Sequence, residues 1–206
     1  MDKNQQLTLH TGKIPVLAKN ANAAPARIEG SGTFSTKKGH LAIIGMTESG
    51  KSTLAHSIAL NYMKAGIPVI VLEPRKSIQW PCTFQTDSLE EFLSVAKRSR
   101  KCAIFCEESG RFGRDPDFAW LFTESRQEGH VFHYLSQYHA QVPPIARTNC
   151  LRLALFLVGK KSAIQWADDF GQPEIAELNQ QLPIYGFVSA NRLRNPPPKI
   201  LRLAID

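Results

Sequence analysis

Apolar and polar positions alternate in blocks along this chain rather than residue by residue. "LAII" (41–44), "IPVIVL" (67–72), "CAIFC" (102–106), "VFHYL" (131–135) and "LRLALFLV" (151–158) are short, nearly uninterrupted apolar runs. Runs of that length and continuity predict strands buried on both faces. Between the first two, Leu54, Ile58 and Tyr62 recur at helical spacing. Between the next two, Leu89, Phe92, Leu93 and Ala96 make one apolar helix face, with Asp87 as cap and Glu90 three residues on as a capping box. Further helices are expected over 117–127 and 162–170. "SIQWPCTFQT" (77–86) and the stretch around Pro143-Pro144 read as irregular. In the tail, "PIYGFVSA" and "KILRLAI" predict two more strands, separated by the rigid "NPPP" at 195–198. Residues 1–40 are polar and broken by Gly, Pro and Asn. "LTLHTGKIPVLAK" there is long enough for one or two short strands, and the rest reads as loop. No segment repeats internally. Strands alternating with helices predict a parallel sheet flanked by helices.

The junction of the first strand and first helix carries chemistry. Gly45-Met46-Thr47-Glu48-Ser49-Gly50-Lys51-Ser52 fits G-x-x-x-x-G-K-[ST] without a gap. Glycines let successive backbone N–H groups turn inward toward phosphate oxygens, and the following helix adds its unpaired amides and positive dipole end. In that scheme Lys51 reaches the β- and γ-phosphates and Ser52 ligates Mg²⁺, with Thr53 completing the contact set. A bland Gly-rich turn is the competing account, and the strand–loop–helix context counts against it. Glu48 is unusual here, because a carboxylate beside a polyphosphate is repulsive.

The expected fold class is therefore α/β: a P-loop NTPase of RecA/ASCE-like type, mostly parallel, with short added strands at the N- and C-termini. One domain should span 1–206. It divides into an N-terminal extension (1–38), a nucleotide-binding core (39–160) and C-terminal strands and tail (161–206).

At 206 residues and 43% apolar content the chain can bury a sizeable core. Its net charge of +7 suits an anionic partner larger than one nucleotide. No stretch approaches the roughly 20 apolar residues of a membrane span. "MDKNQQLTLH" lacks the apolar core of a signal peptide, so secretion is not expected. The four cysteines (Cys82, Cys102, Cys106, Cys150) form no C-x-x-C pair and are expected as free thiols, with Cys102 and Cys106 on one face of a strand.

A nucleotide hydrolase needs a carboxylate at its metal and a base for water. "CAIFCEES" supplies Glu107 and Glu108 at the C-terminal end of a central strand, where open α/β sheets place their sites. Adjacent strand residues point opposite ways. Glu107 is therefore expected in the metal shell and Glu108 facing the attacking water. Gln137 ends the next strand, where a polar group senses the γ-phosphate or orients water. His130, His133 and His139 lack metal-ligand spacing within one element and are expected to be structural.

With these residues in place, the chain resembles the FtsK–HerA superfamily of DNA-pumping ATPases. Within it, the likeness is to genome-packaging ATPases of tailless icosahedral viruses with an internal membrane. "GMTESGKS" is similar to that family's G-M-T-x-S-G-K-S loop, and "CAIFCEES" to its apolar strand ending in two acids. "ESRQEGHVFHYLSQ" is similar to its Arg, short spacer, apolar strand and terminal Gln. The resemblance covers about 39–158. It departs at Glu48, where Gly or a small residue is more usual, and at Glu107, where Asp is. The resemblance implies Arg126 as an arginine finger reaching a neighbouring subunit's γ-phosphate, with Arg147 its rival. Its place before the sensor strand is expected to put Arg126 near the active edge of the sheet.

The resemblance further implies a homo-oligomeric ring, usually a hexamer, with ATP at subunit contacts and double-stranded DNA through the centre. Arg98, Arg100, Lys101, Arg111, Arg114, Lys160 and Lys161 are the candidate pore cations. The implied setting is the host cytoplasm or a virion vertex, with a capsid portal or membrane protein as further partner. An assembly, export or conjugation ATPase shares these motifs. A small-molecule P-loop kinase is the reading from another class; the adjacent acids, Gln137 and the lack of an Arg-rich lid count against it.

Overall fold

The computed structural model describes residues 26–29, 39–75, 78–193 and 195–204. Five buried runs form its parallel centre: β2 (His40–Ile44), β3 (Val69–Leu72), β5 (Ala103–Cys106), β6 (Val131–Ser136) and β7 (Cys150–Phe156). Short β1 (Arg27–Glu29) and β4 (Phe84–Thr86), with β8 (Gly186–Asn191) and β9 (Lys199–Ala204), complete one mixed sheet. Its order is β1-β9-β8-β7-β2-β6-β5-β3-β4. The six strands from β7 to β4 run parallel, while β8, β9 and β1 add antiparallel on one flank.

The apolar runs are continuous because both faces are covered. Leu41, Ile43, Val69, Val71, Ala103 and Phe105 point to one face, under α1 (Lys51–Lys64), which contributes Leu54, Ile58 and Tyr62. Ala42, Ile44, Ile70, Leu72, Ile104 and Cys106 point to the other. That side is covered by α2 (Leu89–Arg98), α3 (Trp120–Thr123), α4 (Pro144–Asn149), α5 (Lys160–Phe170) and α6 (Glu174–Asn179). Cys102 and Cys106 share this second face, and all four cysteines are free thiols.

Several elements differ from the sequence reading. The loop-like extension yields β1, which pairs with β9; "LTLHTGKIPVLAK" lies outside the described residues. The stretch read as irregular forms β4, because the Gln85 side chain braces the loop before it, accepting from Trp80 N (3.0 Å) and donating to Ile78 O (2.7 Å). The cap of α2 is Ser88, not Asp87: its hydroxyl accepts from Glu91 N (3.3 Å), and Glu91 turns to the Thr86 hydroxyl. The helix expected over 117–127 stops at Thr123, since the buried Ser125 hydroxyl takes the Leu121 carbonyl (2.7 Å) that another turn would use. Around Pro143-Pro144 the chain is helical, with Pro144 at the first position of α4, where a missing N–H costs little.

Candidate active site

β2 delivers its chain into the phosphate loop at the C-terminal edge of the parallel strands. Two backbone bonds moor the loop's start: Gly45 N donates to Ser136 O (3.2 Å) and Met46 N to Leu157 O (3.3 Å). Gly45 has no room for a side chain, since a Cβ there would sit 2.5 Å from Phe156 Cβ and 2.8 Å from Ser49 Oγ. Gly50 caps α1 at φ 103°, a left-handed conformation that leaves the helix without a side-chain cap. The first amides of α1 are thus left for another acceptor. The first turn of α1 holds no acid and starts with Lys51, a cation at the positive end of the dipole. That placement is unfavourable alone and becomes favourable beside an anion. Lys51 Nζ reaches back across the loop to Met46 O (2.7 Å). The buried Ser49 Oγ has no hydrogen-bond partner among the described residues, so the loop keeps a donor in reserve. Glu48 is exposed with φ 62°. A glycine would take that conformation without strain, whereas a glutamate there costs roughly 1–2 kcal/mol.

The two acids arrive differently from the sequence expectation. β5 ends at Cys106, so Glu107 and Glu108 are not alternating strand residues but occupy the turn that follows. Glu108 sits at φ 47°, ψ 36°, and this left-handed step brings both carboxylates to one cleft. Glu107 Oε1 accepts from Ser52 Oγ at 2.7 Å, joining residues 55 positions apart. Glu108 is paired with Arg75, while Arg111 Nη1 lies 3.5 Å from its other oxygen. Ser109 locks the turn: its buried hydroxyl donates to Cys106 O (2.6 Å) and accepts from Leu135 N (3.2 Å). Gln137 lines the same cleft, its N–H held by Gln141 Oε1 (3.4 Å).

Arg75 and Gln141 were missed by sequence reasoning. Arg75 lies just beyond the C-terminal end of β3, and the edge rule that found the two acids applies to it equally. Arg111, expected as a pore cation, lines this cleft instead.

Burial holds the Glu107 carboxyl above the ordinary carboxylate range; the Ser52 bond and Lys51 oppose that, and the nearby charges of Glu73 and Glu108 add to it. Burial likewise lowers Lys51, against the pull of Glu107. A carboxyl raised on folding stabilises the fold when protonated and loses that contribution as pH rises through its folded value. Glu107→Gln keeps an acceptor for Ser52 without the buried charge. It is therefore expected to melt higher than wild type at pH 8 when no metal is added, with the gap closing as pH is lowered, while Mg²⁺-dependent nucleotide binding weakens. Thermal melts across pH check this; a mutant that melts lower at pH 8 contradicts it.

A serine hydroxyl and a carboxylate at hydrogen-bond separation beside a phosphate loop are the donor set Mg²⁺ takes together with phosphate oxygens. Ser52 and Glu107 fit that ion without further protein ligands. Among the described residues no group of three or more His, Cys, Asp or Glu forms a metal cluster.

The histidines have structural contacts. His133 is fully buried, stacked on Phe105 at 4.1 Å and bonded to Ile104 O; His130 Nδ1 accepts from Cys102 N. His139 bonds Asp169 (2.7 Å), which also lies 3.5 Å from Arg147. Arg126 is exposed, but not at the expected edge. β6 runs parallel to β2, so the turn before it lies at the opposite, N-terminal edge, where the Arg126 charge helps depress His40. Arg98, Arg100 and Lys101 precede β5 at that same far edge, and Arg100 is paired with Glu128 (2.6 Å). Lys160 and Lys161 open α5 at the loop edge. The candidate pore cations thus fall on two edges rather than one stripe.

No protein-family profile matches the chain, and no curated protein matches it in sequence. Solved structures do match in shape. The DNA-packaging ATPase B204 from Sulfolobus turreted icosahedral virus aligns at TM-score 0.69 and 16% identity, over 83% of this chain and 100% of that one. The genome packaging NTPase B204 of Sulfolobus turreted icosahedral virus 2, in complex with AMPPCP, aligns at TM-score 0.65 and 15% identity, over 81% and 98%. The fold is that of a P-loop NTPase. The pCW3 conjugation coupling protein TcpA, in its monomer form with ATPγS, shares this fold at TM-score 0.66 and 11% identity, over 87% of this chain and 65% of that one. Within this fold, the contact of Ser52 with Glu107 joins the phosphate loop to the turn that follows β5. No helix among the described residues is long and apolar enough to cross a membrane.

Proposed function

We propose that this chain is an ATP-hydrolysing DNA translocase that pumps double-stranded DNA into a preformed viral capsid. The observation that carries the chemistry is the 2.7 Å contact between Ser52 and Glu107, which places a phosphate loop and an acid pair in one cleft. The loop amides and Lys51 bind and orient the polyphosphate. Ser52 and Glu107 would hold Mg²⁺, which when bound would neutralise charge on the polyphosphate. Glu108 takes a proton from water as its oxygen attacks the γ-phosphorus, and ADP leaves. Arg75 and Arg111 hold Glu108 at the cleft, and Gln137 orients the water.

The likeness to a DNA-packaging ATPase and the net charge of +7 support the DNA reading. On this reading the working form is a ring, with ATP at subunit contacts and a portal or membrane protein as its anchor at the vertex. The likeness to a conjugation coupling protein supports a second reading with the same chemistry. The test is ATPase rate with and without double-stranded DNA, alongside the mass of the assembly. DNA stimulation in a ring is expected. Acceptor-dependent phosphate transfer by a monomer would overturn both readings in favour of a kinase.

Arg126 at the far edge cannot serve its own loop, so any role at phosphate is in trans. Arg147 is half-buried and close to Asp169, which disfavours it as a free finger. Arg126→Ala and Lys51→Ala proteins, each inactive alone, are expected to regain activity when mixed, because some interfaces then pair an intact loop with an intact arginine. Arg126→Ala protein that hydrolyses ATP like wild type would remove Arg126 from the mechanism.

A further inference from the structure

The turn over residues 183–186 brings an aromatic ring against the phosphate loop. A Cβ at Gly50 would touch Tyr185 Cδ1 at 3.5 Å, an ordinary contact distance, and would crowd Leu203 Cδ1 at 3.1 Å and Phe156 Cε1 at 3.2 Å. The turn is tightly built. Gly186 N donates to Pro183 O (2.8 Å), Leu203 N donates to Tyr185 O (3.1 Å), and Tyr185 itself is left-handed at φ 59°. Non-glycine residues in that conformation are strained and tend to mark functional positions. Although it packs on the loop, Tyr185 stays 37% exposed, and Ile184 beside it is 75% exposed. Met46 and Leu157, at the same edge of the sheet, are each 42% exposed. An apolar, aromatic surface, part of it from the loop's own Met46, therefore lies beside the loop's polar groups.

The strand order says which end of a bound nucleotide meets that surface. From β2, β5, which Glu107 and Glu108 follow, lies on one side, beyond β6; β8, which Tyr185 precedes, lies on the other, beyond β7. The terminal phosphate belongs with Ser52, Glu107 and Glu108. The opposite end of the polyphosphate, with its nucleoside, is then directed to the β7–β8 side. We propose that Tyr185, backed by Leu203 and flanked by Ile184, is the stacking platform for the base of the nucleotide, and that its large π-face favours purine over pyrimidine nucleoside triphosphates. This rests on the phosphate-loop reading and adds the base subsite to it.

The test compares binding of Mg·ATP and of inorganic tripolyphosphate to the full chain by calorimetry. Base–aromatic stacking is worth roughly 1–3 kcal/mol by alanine substitution, so Tyr185→Ala should weaken ATP about 10-fold or more. Tripolyphosphate affinity should stay unchanged, and Tyr185→Phe should bind ATP like wild type. The preference of ATP over UTP should shrink in Tyr185→Ala. If Tyr185→Ala does not fold, Tyr185→Leu keeps the apolar volume without the ring and carries the same comparison. Equal ATP affinity in wild type and the ring-less variant overturns the platform. So does an equal loss for ATP and tripolyphosphate, which would make Tyr185 a support of the loop alone. Wild type that binds neither ligand overturns the phosphate-loop reading itself, and the platform with it.

Discussion

Replacing Lys51 by alanine is expected to lower kcat for ATP hydrolysis about 10²–10³-fold and to weaken nucleotide binding sharply. Removing one preorganised donor to developing transition-state charge has that size of effect. Lys51 sits in the first turn of α1, and its ammonium reaches across the loop to Met46 O at 2.7 Å. On the proposed reading it swings from there to the β- and γ-phosphates. Among the described residues its only hydrogen bond is to that exposed carbonyl, so the mutant should fold normally. Folding is checked by thermal melt, and activity by phosphate release. A folded Lys51→Ala protein that hydrolyses ATP at the wild-type rate would contradict the assignment of the loop.

Glu108→Gln is expected to retain Mg·ATP binding while kcat falls about 10²–10⁴-fold, the range ascribed to a positioned general base. The carboxylate is only partly exposed and is held between Arg75 and Arg111, so it is oriented before water arrives. A glutamine keeps the shape and can still accept from an arginine, but it cannot take the proton. Glu107→Gln should instead lose metal-dependent binding, because Glu107 faces Ser52. Equilibrium binding and single-turnover hydrolysis on both mutants separate the two roles. Normal hydrolysis by Glu108→Gln together with its loss in Glu107→Gln would reverse them.

The phosphate loop was legible because its requirements are local. Gly45, Gly50, Lys51 and Ser52 are spaced along one loop and one helix turn, and no distant contact is needed to name them. The parallel strands were legible from continuous apolar runs, since a strand buried on both faces has no polar alternation to keep. The edge position of Arg75 follows from the same rule, but its pairing was not legible in this way. Its importance comes from meeting Glu108 across β3 and β5, and no spacing rule encodes a cross-strand meeting. Arg126 was misplaced for a related reason. A position just before the sensor strand suggests proximity to the active edge, whereas the parallel pairing of β6 with β2 sends that end of the strand to the other side.

The chain's own order of residues therefore determined the phosphate loop, the pair of acids at a strand end, the apolar strands and the helix faces that cover them. Each depends on neighbours within a few residues, where backbone geometry and periodicity act directly. Tertiary structure decided what those parts do together. It set the turn at Glu108 that brings both carboxylates to one cleft, and the contact of Glu107 with Ser52. It placed Arg75 beside the acid expected to act as base, and laid Tyr185 and Leu203 against Gly50. These outcomes depend on strand order and register, which arise from burying two faces of one sheet at once, and such a global condition leaves no local signature in the sequence.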